Sequence, residues 1–112
     1  MSCAGEEIEN VLNFINEKAR LYYHCEDNEF ETKTSFYKHR NGIIEVSETK
    51  TKILIIFKNK HGLLHRNDGP AFIHYNKRLN TGESIYYIEG VQQNELRFLV
   101  SLYSEKGDLC GI

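Results

Sequence analysis

The chain has no tryptophan, one proline, one methionine and only three cysteines. A single proline beside 40% hydrophobic and 12% aromatic residues excludes wholesale disorder, because such a composition can bury enough apolar surface to fold. Cys3, Cys25 and Cys110 are odd in number, widely spaced and without a Cys-x-x-Cys pair, which excludes a disulfide framework and favours a reducing, cytoplasmic setting. Cys25 follows His24, but zinc sites bring closely spaced ligand pairs and a second pair is missing. Cys25 therefore reads as a buried or inert thiol. No apolar run approaches the roughly 20 residues of a membrane span, so no membrane partner is expected. Met1 to Asn10 is acidic and lacks the basic-then-apolar order of a signal peptide. Neither sign of charge dominates: 14 Lys and Arg stand against 16 Asp and Glu, a net charge of -2, which argues against a bulk electrostatic grip on nucleic acid.

At 112 residues there is room for one core, so a single domain spanning 1–112 is expected. Frequent Ile, Lys and Asn, with Lys outnumbering Arg nine to five, indicate AT-rich coding. Ile8, Val11, Leu12, Ile15, Ala19 and Tyr22 recur at helical spacing, and acidic residues precede basic ones, which predicts a helix over 1–24. The region 30–90 reads as strands joined by short turns. Thr32 to Tyr37, Ile43 to Val46, Thr51 to Phe57, Ala71 to Tyr75 and Ser84 to Ile88 are the candidates, with Asn41-Gly42 and Glu89-Gly90 as turns. Ile53 to Phe57 is apolar without alternation, a pattern that calls for cover on both faces, from two helices or from one helix and a partner chain. Leu96, Leu99, Val100 and Tyr103, after Asn94 as N-cap and before Gly107, predict a closing helix over 94–107. The expected fold is thus α+β: an antiparallel sheet of about five strands built from hairpins, flanked by an N-terminal and a C-terminal helix.

His39-Arg40-Asn41-Gly42 and His65-Arg66-Asn67-Asp68-Gly69 form a degenerate internal repeat. The second copy extends as Leu64-His65-Arg66-Asn67-Asp68-Gly69-Pro70-Ala71, followed by Tyr86-Tyr87 and Gly90. This stretch resembles a short β-hairpin repeat, distantly MORN-like, that occurs in phage, giant-virus and bacterial proteins. The likeness covers about Asn59 to Gln93 and departs after Gly90, where a longer array would begin another unit. It implies a hairpin sheet and, by the company such proteins keep, a viral or phage accessory role in a host cytoplasm.

The motif itself reads first as a rigid corner made by His65, Asn67, Gly69 and Pro70. Asp68 would accept backbone N–H groups in an Asx turn, and Gly69 would supply a conformation closed to other residues. Pro70 fixes the chain after it, and Arg66 would pair with Asp68 or with main-chain carbonyls. Nucleophile elbows, Walker loops, dinucleotide fingerprints and His-Glu-x-x-His are missing. No catalytic residue, metal site or cofactor is therefore assigned. The expected function is non-catalytic protein binding, with the partner another protein, including a host protein whose activity is inhibited by occlusion. Tyr86, Tyr87, Phe98, Leu102 and Tyr103 are the candidate anchors, and Arg66, Asp68, Lys77 and Arg78 the candidate charged contacts. Two alternatives stand beside this reading. One is a nucleic-acid or nucleotide binder using the basic middle of the chain and its tyrosines. The other is a self-assembling homodimer.

Overall fold

A computed structural model describes residues 4–94. The chain runs α1 (Ala4–Lys18), β1 (Arg20–Asp27), β2 (Thr32–His39), β3 (Gly42–Glu48), β4 (Lys52–Lys58), β5 (Phe72–Asn76), β6 (Thr81–Ile88) and β7 (Val91–Gln93). The seven strands form one meander in which each pairs antiparallel with the next, in sequence order. The antiparallel hairpin sheet and the N-terminal helix are as expected. The strand count is corrected from five to seven, with β1 and β7 added at the two edges. The predicted helix over 94–107, with Phe98, Leu102 and Tyr103, lies outside the described residues.

The N-terminal helix stops at Lys18 rather than running to 24. Tyr22 continues the helical stripe and Leu21 broadens it, but Tyr22 and Tyr23 are also strand formers, and tertiary pairing decides between the two. β1 pairs with β2 from Arg20↔Lys38 to Asp27↔Thr32, with a bulge between Leu21 and Tyr23. The loop that closes this hairpin is fixed by Asp27, whose Oδ1 accepts the backbone N–H groups of Glu29 and Phe30. Asn76 Oδ1 does the same for Arg78 and Leu79 in the β5–β6 loop. Both loops place their last residue in the left-handed region, Glu31 at φ 53° and Asn80 at φ 51°.

The core lies between α1 and one face of the sheet. Ile8 and Ile15, seven residues apart, bury against Ile44, Ile53, Ile55, Phe57, Ala71 and Ile73. β4 alternates in burial despite its unbroken apolar sequence: Ile53, Ile55 and Phe57 lie under the helix, while Leu54 and Ile56 are half-buried on the other face. Cover on that second face is thus partial among the described residues. At one edge, all eight residues of β1 are exposed, and Cys25 is an exposed free thiol rather than a buried one.

Candidate functional site

The meander brings three connections to the same end of the sheet: the β2–β3 turn, the long β4–β5 segment and the β6–β7 turn. The β4–β5 segment does not leave the sheet. Leu64 bridges Lys58, the His65 N–H donates to the Phe57 carbonyl, the Arg66 N–H donates to the Tyr87 carbonyl, and the Gly90 N–H donates to the Leu64 carbonyl. Leu64 to Arg66 therefore extends the sheet between β4 and β6, in the space left because β5 begins only at Phe72. Its turn is held by Asn59, whose Oδ1 accepts from the N–H groups of His61 and Leu63, while its Nδ2 donates to Glu89 Oε1 at 3.1 Å.

Within this end the two His-Arg pairs, 26 residues apart in sequence, line one cleft of about 390 Å³. They are not equivalent hairpins. His39 is the last residue of β2 and pairs with Gly42 across the Arg40-Asn41 turn, whereas His65 sits in the irregular extension of β4–β5. Gly42 is required by space, because a Cβ there would overlap the Lys58 carbonyl oxygen. Arg40 takes φ 56° to close the turn, which shifts the turn one residue earlier than Asn41-Gly42.

Arg66 forms the floor. Its guanidinium lies 4.2 Å from the Phe57 ring centroid and 5.6 Å from that of Phe14, and the side chain is only 13% exposed. Nε donates to Asp68 Oδ1 at 3.0 Å, and a terminal nitrogen donates to the Pro70 carbonyl at 3.2 Å. Both expected pairings of Arg66 are present at once. Asp68 takes the guanidinium rather than capping backbone N–H groups. Gly69 has no unusual φ, and a Cβ there would lie 2.8 Å from the guanidinium carbon, so the Arg66 side chain would have to shift to admit it. Asn67 is exposed at the rim. His65 acts as a hydrogen-bond acceptor. Its Nδ1 accepts the Glu89 N–H at 2.9 Å. The Glu89 carboxylate also approaches Nδ1 at 3.7 Å, but a nitrogen whose lone pair already accepts an N–H carries no proton to share in an ion pair. The Glu89-Gly90 turn that supplies this N–H has both residues at positive φ, 51° and 81°, as a two-residue hairpin loop requires.

His39 stacks edge-on against Phe14 at 5.1 Å between centroids. Burial holds it below its ordinary pKa of 6.5, Arg40 and Arg66 push the same way, and Asp68 opposes them. The cleft thus presents a neutral His39 beside Arg40, Lys58, Lys60 and Arg66, four cations against the two carboxylates of Asp68 and Glu89. Arg66 and Lys58 have carboxylate partners, the latter Glu45 at 3.9 Å. Arg40 and Lys60 make no hydrogen bond or ion pair with another described residue.

The remaining candidate residues separate. Lys77 and Arg78 lie at the opposite end of the sheet, in the β5–β6 loop. There Lys77 is held by the Glu48 carboxylate and, at 2.9 Å, by the Thr49 carbonyl, so it is a structural tie. Arg78 is exposed. Tyr87 packs against the core and is no free anchor, while Tyr86 is half-buried in β6. Tyr75 also packs on the core, with its hydroxyl donated to Asn80, and Lys50 pairs with Glu31 at 3.1 Å. Of His61, His65 and His74, the last lies in β5, away from the cleft lining; among the described residues no group of three His, Cys, Asp or Glu is placed to hold a metal. No helix of the described chain is long and apolar enough to cross a membrane.

His39, Arg40, Phe14, Asn59 and Lys60 were not singled out as site residues by the sequence. The repeat of His-Arg-Asn was the signal that pointed to His39 and Arg40. No protein-family model matches this chain, and no curated protein and no solved structure matches it significantly.

Proposed function

We propose that this chain is a non-catalytic protein-binding module whose cleft, between the Arg40-Asn41 turn and the His65–Asp68 corner, receives an acidic segment of its partner. The carrying observation is that Arg40 and Lys60 stand unpaired at a cleft with twice as many cations as carboxylates, on a chain whose total charge is negative. Arg66, stacked and doubly hydrogen-bonded, is a pre-ordered donor floor that loses little side-chain freedom on binding. Phe14 and Phe57 give the cleft an apolar wall inside a polar rim, the arrangement common to interface centres. The resemblance to phage and giant-virus hairpin repeats supports placing the partner among host proteins, in the host cytoplasm, with occlusion as the mode of action.

Selection of a random displayed peptide library on the immobilised full chain tests this. Asp- and Glu-rich sequences are expected to enrich. Arg40→Glu combined with Lys60→Glu should abolish their retention without changing the melting temperature, since neither side chain packs in the core. Enrichment of neutral or basic peptides, or retention indifferent to the double reversal, refutes the site.

A further inference from the structure

We infer that the β1 edge is a homodimer interface, in which β1 of one copy pairs antiparallel with β1 of a second across a two-fold axis at His24. The other edge of the sheet, β7, has three residues, whereas β1 has eight, all exposed and without a neighbour on their outer side among the described residues. A strand of that length presents a full row of unpaired backbone donors and acceptors. Proteins usually blunt such an edge with proline, lysine, inward-pointing charge or a bulge; Arg20–Asp27 contains no proline or lysine, and its bulge at Tyr22 leaves the other seven residues in one continuous ladder. Instead it exposes Leu21, Tyr22 and Tyr23 at about half their surface, with both tyrosine rings against Phe36 of β2.

Charge and face select a second copy as the occupant. β1 is basic at its start, Arg20, and acidic at its end, Glu26 and Asp27. Antiparallel pairing sets opposite charges against each other, whereas parallel in-register pairing sets like against like. Opposed residues must also project from the same side of the sheet. The bulge at Tyr22 turns eight residues into seven ladder positions, as the pairing with β2 shows, and the central position is His24. A two-fold axis there places Tyr23 opposite Cys25, Leu21 opposite Glu26 and Arg20 opposite Asp27 of the second copy. Every one of these pairs shares a face, judged by the β2 partners of each residue. Without the bulge, Arg20 and Asp27 would fall on opposite faces. The interface is isologous, so each pair occurs twice. Because pairing reverses one copy, the two anion clefts point to opposite ends of the joined sheet, and the assembly offers two separate partner sites.

Two measurements on the full chain test the register. Sedimentation equilibrium across a dilution series should show a monomer–dimer equilibrium, weakened about tenfold or more by Arg20→Glu, which opposes two pairs of like charges. The second measurement uses a chain with Cys3, Cys25 and Cys110 replaced by Ser. There His24→Cys should oxidise to a covalent dimer, since residues facing across the axis sit about 4.5–5.5 Å apart at Cα. Lys33→Cys, one strand inward on β2, should not. The native Cys25 pair, two ladder positions apart along the strand, is roughly 8 Å apart and stays reduced. A monomeric mass at every concentration overturns the inference, whether the edge then accepts a foreign strand or residues 95–112. Equal cross-linking from Lys33→Cys, or none from His24→Cys in a dimeric sample, overturns this register.

Discussion

Replacing Arg66 by alanine removes a stacked cation rather than a surface ion pair, and the two readings differ in magnitude. The hydrogen bond to the Pro70 carbonyl is charge-assisted and half-buried, worth about 1.5 kcal/mol. The guanidinium over Phe57 at 4.2 Å adds about 0.5–1 kcal/mol. Loss of the packed stem adds about 1 kcal/mol. The Asp68 carboxylate is 57% exposed, so its pairing contributes at most about 0.5 kcal/mol after solvent screening. Arg66→Ala should therefore cost about 3 kcal/mol, a fall in melting temperature of about 10 °C or more. Asp68→Ala should cost about 0.5 kcal/mol. Arg66→Lys, which keeps the charge but loses the planar fork, should fall between them. Urea denaturation of the three variants measures this directly. Equal losses for Asp68→Ala and Arg66→Ala would move the stabilisation to the ion pair, and a loss below about 1 kcal/mol for Arg66→Ala would refute an ordered stack.

Gly42→Ala should destabilise by about 2 kcal/mol or more in thermal melts, because the added methyl meets the backbone of Lys58, which has no rotamer to yield. An unchanged midpoint would contradict the close approach of β3 and β4. Glu31→Asn should stabilise by about 0.5–1 kcal/mol, since Glu31 holds φ 53° with only an exposed ion pair to Lys50 in return. A lower midpoint in the same melt would count against that loop geometry. For His39 the unfolded ring takes up its proton near pH 6.5, while the folded ring resists until lower pH. The unfolded chain thus binds more protons in that window, and stability that is full above pH 6.5 declines as the pH falls through it. His39→Gln should flatten this part of the profile; an unaltered profile would show that His39 does not carry it.

The legible parts of the fold were those with one dominant signal. The five inner strands and α1 each carry a period or a turn that nothing contests. The first part of β1, residues 20–24, reads as helix because Ala19 and Tyr22 continue the stripe of Ile8 and Ile15, and only the partner strand β2 settles the competition. β7 is three residues long and has no period to detect. At the site, the sequence singles out His65–Pro70 but not the roles of its atoms. Whether Asp68 caps a backbone or takes a guanidinium depends on Phe57 and Phe14 fixing Arg66 from other elements. The repeat of His-Arg pointed to both walls of the cleft, although only the folded meander brings residues 39 and 65 together. Lys77 and Arg78 share with Arg66 the place of candidate charged contacts, but a strand length separates them from it.

Amide chemical shifts of the full chain, followed while a short glutamate-rich peptide with a free C-terminal carboxylate is added, test the central claim most directly. The cleft reading predicts perturbations concentrated at Arg40, Asn41, Lys60, His61 and Asn67, reversed by added salt and lost in the Arg40→Glu, Lys60→Glu chain. Shifts spread along β1 or the β5–β6 loop, or no shifts at low salt, would contradict it.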